Sequence, residues 1–139
     1  MLRFERAKPE DLKMLEALLR ENGMEYADPI EDFLLAKQGS EIVGCARMED
    51  YAELAMLRPL VVAKGYRNKG IGRFILEQIL PAAKPAVIVA RGESARFYSS
   101  FGFTHANWQE IPLHQTNECT SCPDRTECRP QPMIYKEVR

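Results

Sequence analysis

The stretch "LVVAKGYRNKGIGRFILEQIL", residues 60–80, joins an apolar run, a glycine-rich segment with four cations and an apolar helix pattern. We expect a strand, a tight turn and a helix in that order. The helix pattern is carried by Phe74, Ile75, Leu76, Ile79 and Leu80. Amide hydrogens of a first helical turn point out of the helix, with the positive end of its dipole behind them. The stretch therefore predicts a phosphate site at the start of a helix.

Two familiar phosphate-binding patterns do not fit this stretch. A dinucleotide fingerprint G-x-G-x-x-G that starts at Gly70 requires glycine where the chain has Ile75. A Walker loop ends in Gly-Lys before a hydroxyl residue, whereas Lys69 precedes Gly70 here. A third pattern, [R/Q]-x-x-G-x-[G/A], is met by Arg67, Asn68, Lys69, Gly70, Ile71 and Gly72.

The bulk composition is that of one ordinary globular domain. The chain has 139 residues, of which 45% are hydrophobic and 28% charged, with a formal net charge of -1. A chain without a strong basic field does not favour nucleic acid as a partner. The N-terminal "MLRFERAKPEDL" has no apolar signal core, and no run approaches the ~20 apolar residues of a membrane span. We expect a single cytoplasmic domain, residues 1–139, with no membrane partner.

The order of elements read along the chain is βα(α)βββαβαββ, an α/β arrangement around a mixed sheet. The strand segments are "LRFERA" at 2–7, "FLLAK" at 33–37, "EIVGCARME" at 41–49, "ELAMLRPLVVA" at 53–63, "AVIVA" at 86–90 and "MIYKEV" at 133–138. Short connections predict that the three strands between 33 and 63 form an antiparallel meander. We expect residues 112–132 to be a loop rich in proline and cysteine, inserted before the last strand.

A second motif follows the buried strand at 86–90. "ARFYSSFGF", residues 95–103, predicts a short helix that ends at Gly102. Taken together, residues 60–80 and 95–103 resemble the acetyl-CoA-binding motif and the "FYxxxGF" segment of the GNAT superfamily of N-acetyltransferases. The resemblance implies a mostly antiparallel central sheet with helices on both faces. It also implies transfer of an acetyl group from acetyl-CoA to an amine. The alternative is a non-catalytic acyl-CoA-binding or protein-interaction module.

The resemblance implies roles for particular residues. Tyr98 corresponds to the tyrosine whose hydroxyl lies near the coenzyme sulfur, and would act as general acid toward the thiolate. Glu53 is the expected base, and Glu49 is the other candidate. The coenzyme contacts implied are Leu60, Val61 and Val62 on strand four, with the Val62 amide as oxyanion donor, and Arg67, Asn68, Lys69, Gly70, Ile71, Gly72 and Arg73 in the loop. Arg91 departs from the family, which often has a coenzyme-binding asparagine there.

The acceptor is expected to be a small-molecule amine, with an amino acid as the working class. "VGCARMEDYAELAMLRPLVV" resembles the short N-acetylglutamate synthase-like branch, although Met56 replaces the glutamate usual at that point. Arg47 and Arg58 could bind a substrate carboxylate, or be ordinary exposed strand arginines. A homodimer is a further expectation.

The cysteine pattern is compatible with several hypotheses about metal binding and disulfide formation. Cys119, Cys122 and Cys128 form C-x2-C-x5-C, and His114 lies five residues upstream. Three thiolates and an imidazole would complete a tetrahedral zinc site. The same cysteines would also suit an iron–sulfur cluster, a disulfide from Cys128 to either partner, or free thiols.

Overall fold

The computed structural model describes residues 1–138 and contains seven strands and five α-helices in that range. The strands are β1 (Leu2–Arg6), β2 (Phe33–Gln38), β3 (Glu41–Asp50), β4 (Ala55–Val62), β5 (Ala86–Ala90), β6 (Thr104–His105) and β7 (Gln131–Tyr135). The helices are α1 (Leu12–Glu21), α2 (Ile71–Ile79), α3 (Ala95–Phe101), α4 (Leu113–Ser121) and α5 (Arg125–Cys128).

The strands form a mixed sheet in the order β1-β2-β3-β4-β5-β7-β6. Strand β2 pairs antiparallel with β1 and β3, and β7 pairs antiparallel with β5 and β6. Strands β4 and β5 run parallel, with Ala55 opposite Ala86. The prediction of a mixed, mostly antiparallel sheet is therefore confirmed.

The chain divides into two compact units. The first comprises Met1–Met48 and Leu57–Leu80, and the second comprises Glu49–Met56 and the chain from Pro81 onward. The prediction of one domain over residues 1–139 stays a prediction, and its last residue, Arg139, lies outside the described residues. Within residues 1–138, no helix combines the length and the apolar character that crossing a membrane requires.

The core of the first unit is formed by one face of α1 and the inner side chains of the strands. Leu15 and Leu19 on α1 are fully buried and belong to the same cluster as Phe33 and Leu35 of β2. Leucines at this spacing lie on one helix face, so their burial explains why the segment folds as an amphipathic helix. The prediction of this helix is confirmed.

Helix α2 lies unusually close to β3. A β-carbon at Gly44 would lie 2.9 Å from Ile75 Cδ1 and 3.1 Å from the Val61 carbonyl oxygen. Such contacts are too short for a methyl group, so glycine at position 44 allows the helix to pack directly on the strand. This close packing locates the start of α2, where the glycine-rich loop ends.

The second unit is built around β5 and β7. Met56, Val87, Ile111 and Ile134 form its buried cluster. Helix α3 ends at Gly102, whose φ of 127° falls in a region that favours glycine. A β-carbon there would also approach the Tyr135 ring to 3.2 Å. The predicted end of this helix at Gly102 is confirmed.

The prediction of a loop at 112–132 is wrong, because this segment contains α4 and α5. Pro112 occupies the N-cap position of α4, and Cys122 its C-cap position, just before Pro123. The sequence of α4, LHQTNECTS, lacks the apolar periodicity by which a helix is recognised, and none of its residues is buried. The last strand also begins earlier than expected, at Gln131, and ends at Tyr135.

Candidate active site

The backbone of the glycine-rich loop turns through two left-handed residues before α2. Strand β4 ends at Val62, and a single 3-10 turn follows at Lys64–Tyr66. Asn68 has a φ of 63° and Gly70, the N-cap of α2, a φ of 80°. Asparagine and glycine are the residues that enter this region most readily. Among residues 1–138, no heavy atom other than those of Gly70 and its two chain neighbours lies within 4 Å of a β-carbon position at Gly70, so the loop leaves open space beside it.

The start of α2 presents backbone amides to that space. The amide of Phe74 donates to the Gly70 carbonyl at 2.9 Å and begins the helical hydrogen-bond ladder. The amides of Ile71, Gly72 and Arg73 precede the ladder and point along the helix axis toward the N-terminal side. Ile71 as a whole residue is only 3% exposed, so its side chain packs in the interior and is not available to a ligand. This arrangement suits an anion such as a diphosphate.

Three cations surround the loop. Arg67 donates from Nε to the Val62 carbonyl at 3.4 Å and from Nη2 to the Asn22 side chain. The Lys69 ammonium lies 5.5 Å from the centre of the Tyr66 ring. Arg73 contacts Glu77 one helical turn away at 3.6 Å, and both side chains are more than half exposed. Exposed pairs of this kind bind weakly, so a phosphate could compete for the guanidinium of Arg73.

The predicted coenzyme contacts on β4 divide between two faces of the strand. Val61 is buried in the core of the first unit, while Leu60 and Val62 are partly exposed on the other face. The Ala63 amide donates to the Val43 carbonyl on β3 at 2.8 Å. Because successive amides of a strand point in opposite directions, the Val62 amide points away from β3. By the same alternation the Val61 backbone faces β3, where its carbonyl oxygen approaches Gly44, and the residue is buried. The predicted contact of Val61 with the coenzyme stays a prediction.

Tyr98 is placed on α3 and is 5% exposed. Its ring contacts Phe97 and Phe103 edge to face, with centroids 5.0 Å and 5.3 Å away. Burial raises the pKa of Tyr98 well above the ordinary value of a tyrosine. The phenol is therefore held in its protonated form, in which it donates a hydrogen bond.

The two candidate bases differ in environment. Glu53 is exposed in the turn between β3 and β4 and lines an open groove of about 320 Å³. Glu49, near the end of β3, is 18% exposed. Its Oε1 accepts a hydrogen bond from the Tyr51 hydroxyl at 3.0 Å and lies 3.6 Å from His114 Nε2. The groove is lined by Tyr51, Ala52, Glu53, Leu54, Gln109, Glu110, Ile111 and Pro112.

His114 was predicted as a fourth zinc ligand, and the structure places it beside Glu49 instead. The part of the chain that the structure describes contains no group of three or more side chains suited to hold a metal ion. All four cysteines are free thiols. Burial raises the pKa of Cys128, although the nearby Arg91 cation opposes this shift. The Cys119 sulfur accepts a hydrogen bond from the side-chain Nε2 of Gln115 at 3.2 Å.

The grouping of Glu49, Tyr51 and His114 was not predicted. Glu49 and Tyr51 flank the end of β3, whereas His114 lies in the first turn of α4, more than 60 residues later. No local pattern connects positions that far apart. Of the two arginines considered for carboxylate binding, Arg47 donates from Nη1 to the backbone carbonyl of Arg58 at 3.3 Å, and a role in binding a carboxylate stays a hypothesis.

Comparison with known proteins agrees with this geometry. The family model described as "Acetyltransferase (GNAT) domain" matches residues 29–105. An uncharacterized N-acetyltransferase of Chlorobaculum tepidum is 27% identical over 115 residues, which cover 80% of this chain and 74% of the relative.

Solved structures share the fold at low identity. N-acetylglutamate synthase of Neisseria gonorrhoeae, complexed with coenzyme A and N-acetyl-glutamate, is 16% identical with a TM-score of 0.79. That comparison covers 100% of this chain but only 36% of the synthase. A Mycobacterium tuberculosis protein in complex with CoA has a TM-score of 0.77 at 14% identity, with 98% and 99% of the two chains covered. Because the family model covers more than half of the sequence, the chain belongs to the GNAT family of acetyltransferases.

Proposed function

We propose that this protein is an acetyl-CoA-dependent N-acetyltransferase that acts on the amine of a small molecule by direct attack in a ternary complex. The observation that supports this most is the left-handed Gly70 cap, which opens α2 beside three cations. It lies within the segment that the family model matches. A diphosphate is the anion that this combination of amides, dipole and cations would hold.

The coenzyme would be bound by this chain in two places. The amides of Ile71, Gly72 and Arg73 would hold the diphosphate, with the Arg67 and Lys69 side chains contributing charge. The pantetheine arm would pair with the backbone of Leu60 and Val62, whose side chains share the face opposite the core. The Val62 amide, which points away from β3, would donate to the thioester carbonyl as negative charge develops on its oxygen.

The chemical step forms one bond and breaks another. The neutral amine attacks the thioester carbon, a C–N bond forms, and the C–S bond breaks to release the thiolate of coenzyme A. Tyr98 would donate a hydrogen bond to that thiolate and supply its proton. Burial raises the pKa of Tyr98, so the phenol is in its protonated donor form when the thiolate leaves, and it recovers a proton from water afterwards.

Glu53 would collect the proton of the amine through water, because it is exposed on the open groove. Met56, where the related branch has glutamate, is fully buried and offers no proton acceptor. An amino acid is the acceptor class that the likeness to the N-acetylglutamate synthase supports.

The test is release of free thiol from acetyl-CoA in the presence of an amine library that includes the common amino acids. We expect thiol release that depends on one class of amine, with acetylated amine detected by mass spectrometry in equal amount. Calorimetry with acetyl-CoA on the same protein distinguishes the enzyme from the alternative, a non-catalytic module. Tight binding without amine-dependent thiol release would identify a non-catalytic acyl-CoA-binding module.

A further inference from the structure

The side chains of Glu49, Tyr51 and His114 form a compact polar group in the second unit. The Tyr51 hydroxyl donates to Glu49 Oε1, and His114 Nε2 lies 3.6 Å from the same oxygen. The Tyr51 ring also stacks on the imidazole, with centroids 6.3 Å apart and planes at 27°. The imidazole is thus located by a carboxylate at its Nε2 edge and by an aromatic ring on its face.

We propose that His114 takes the proton from the ammonium group of the acceptor, and that Glu49 positions the imidazole for this step. The proposal rests on the proposed acetyltransferase function and reassigns the base from Glu53 to His114. Histidine is the side chain that most often transfers protons in acid–base catalysis, because its ring has one nitrogen that donates and one that accepts.

The orientation of the His114 ring decides which of its two nitrogens accepts the proton of the acceptor. Nε2 lies 3.6 Å from the Glu49 carboxylate, so we expect the neutral ring to carry its hydrogen on Nε2 and to keep the lone pair on Nδ1. A carboxylate that holds a histidine in one tautomer and stabilises its protonated form is a recurring arrangement in acid–base sites. The ionisable groups around the ring include Glu49 on β3, Tyr51 in the following turn, and Glu118 one turn further along α4.

The groove provides a place for the amine. Tyr51, which contacts the His114 ring, and Pro112, two residues before it, both line the groove. Its lining also includes the carboxylates of Glu53 and Glu110, and none of its eight residues, all in the described range, is basic. Such a lining favours a positively charged ammonium group. His114 does not line the groove itself, but its side chain is 47% exposed beside the lining residue Tyr51.

The proton balance is simple. The ammonium group gives one proton to Nδ1, leaving a neutral amine and an imidazolium that the Glu49 carboxylate stabilises. The amine then attacks acetyl-CoA, the nitrogen gives its second proton to water as the amide forms, and the departing thiolate gains one proton. The net release is the single proton that the imidazolium returns to water after the amide product leaves. No oxidant, metal or further reactant is needed.

The experiment compares His114→Gln and Glu49→Gln with His105→Gln, which changes the other histidine of the chain, exposed on β6. We expect kcat/KM at pH 7 to fall roughly 10²-fold or more for His114→Gln, less for Glu49→Gln, and little for His105→Gln. Added imidazole should restore part of the rate to His114→Ala.

The outcomes separate the two proposals. An active wild-type enzyme with an unaffected His114→Gln variant would overturn the role of His114 and leave the acetyltransferase function intact. Nitrogen-15 NMR of the free protein provides a readout that needs no activity. We expect the neutral His114 ring to carry its hydrogen on Nε2, and a ring protonated on Nδ1 would overturn the proposal. Stoichiometric metal that is lost in His114→Gln would overturn it as well.

Discussion

The Nε of Arg67 donates a hydrogen bond to the carbonyl oxygen of Val62 at 3.4 Å, which connects the first cation of the glycine-rich loop to the last residue of β4. The same guanidinium contacts the side chain of Asn22 at the end of α1. The loop is therefore attached at its start, and its two left-handed residues, Asn68 and Gly70, complete its shape. A loop held in this way can present its amides to an anion without much further ordering.

Replacing Gly72 with glutamate should abolish binding of acetyl-CoA without unfolding the protein. Gly72 lies in the first turn of α2, where a carboxylate would occupy the space for the diphosphate and repel its charge. Calorimetry with acetyl-CoA measures the affinity, and circular dichroism reports the fold. Gln78→Glu adds the same charge to an exposed position near the other end of α2 and should bind normally. Unchanged affinity in Gly72→Glu would exclude this loop as the coenzyme site.

Replacing Tyr98 with phenylalanine should lower kcat by roughly 10²- to 10⁴-fold with little change in coenzyme affinity. The ring remains to pack against Phe97 and Phe103, so the fold should be retained. Tyr135→Phe is the matched control, since it removes a phenol that donates to Glu137 at 2.7 Å in the same unit. A nearly normal rate in Tyr98→Phe would show that the tyrosine only packs.

In the native protein, three of the four cysteine thiols should react with a thiol reagent and one should not. Burial raises the pKa of Cys45 to about 12, so its thiolate is scarce and shielded. Cys119, Cys122 and Cys128 are only partly buried. Reduced native protein should therefore react with about three equivalents of a thiol reagent and with four after denaturation. Cys45→Ala should give three under both conditions. Fewer than three in the native protein would point to a disulfide or a bound metal.

Asp11 should make the first unit sensitive to acid. Burial tends to raise the pKa of Asp11, but hydrogen bonds from the Lys37 ammonium and the Lys8 amide together lower it. A lowered folded-state pKa gives stability that is present above the unfolded value near pH 4 and is lost as the pH falls below it.

Asp11→Asn should therefore reduce the free energy of unfolding by about 2 kcal/mol at pH 7 and by less at pH 3. Urea unfolding at the two pH values measures this difference. Glu10→Gln, at an exposed neighbour in the same turn, should change stability little at either pH. A constant difference between wild type and Asp11→Asn across this range would show that the carboxylate does not titrate with folding.

The sequence by itself determined the parts of this protein that depend on local backbone chemistry. Residues 60–80 predicted the strand, the loop and α2, because glycine at position 70 permits a left-handed N-cap and the apolar positions after it follow a helical period. The end of α3 at Gly102 could be predicted in the same way, because glycine readily adopts the positive φ found there. Both features lie within one short stretch of chain, so no distant contact was needed to infer them.

Only the tertiary structure decided the rest. Helix α4 has no apolar period in its sequence, so the sequence indicated a loop. His114 was predicted with the cysteines nearest to it in the chain, yet the fold places it 3.6 Å from Glu49. Strand β7 lies between β5 and β6 and pairs antiparallel with both. Contacts between residues far apart in sequence depend on packing across the whole fold, and a single sequence carries no local signal for them.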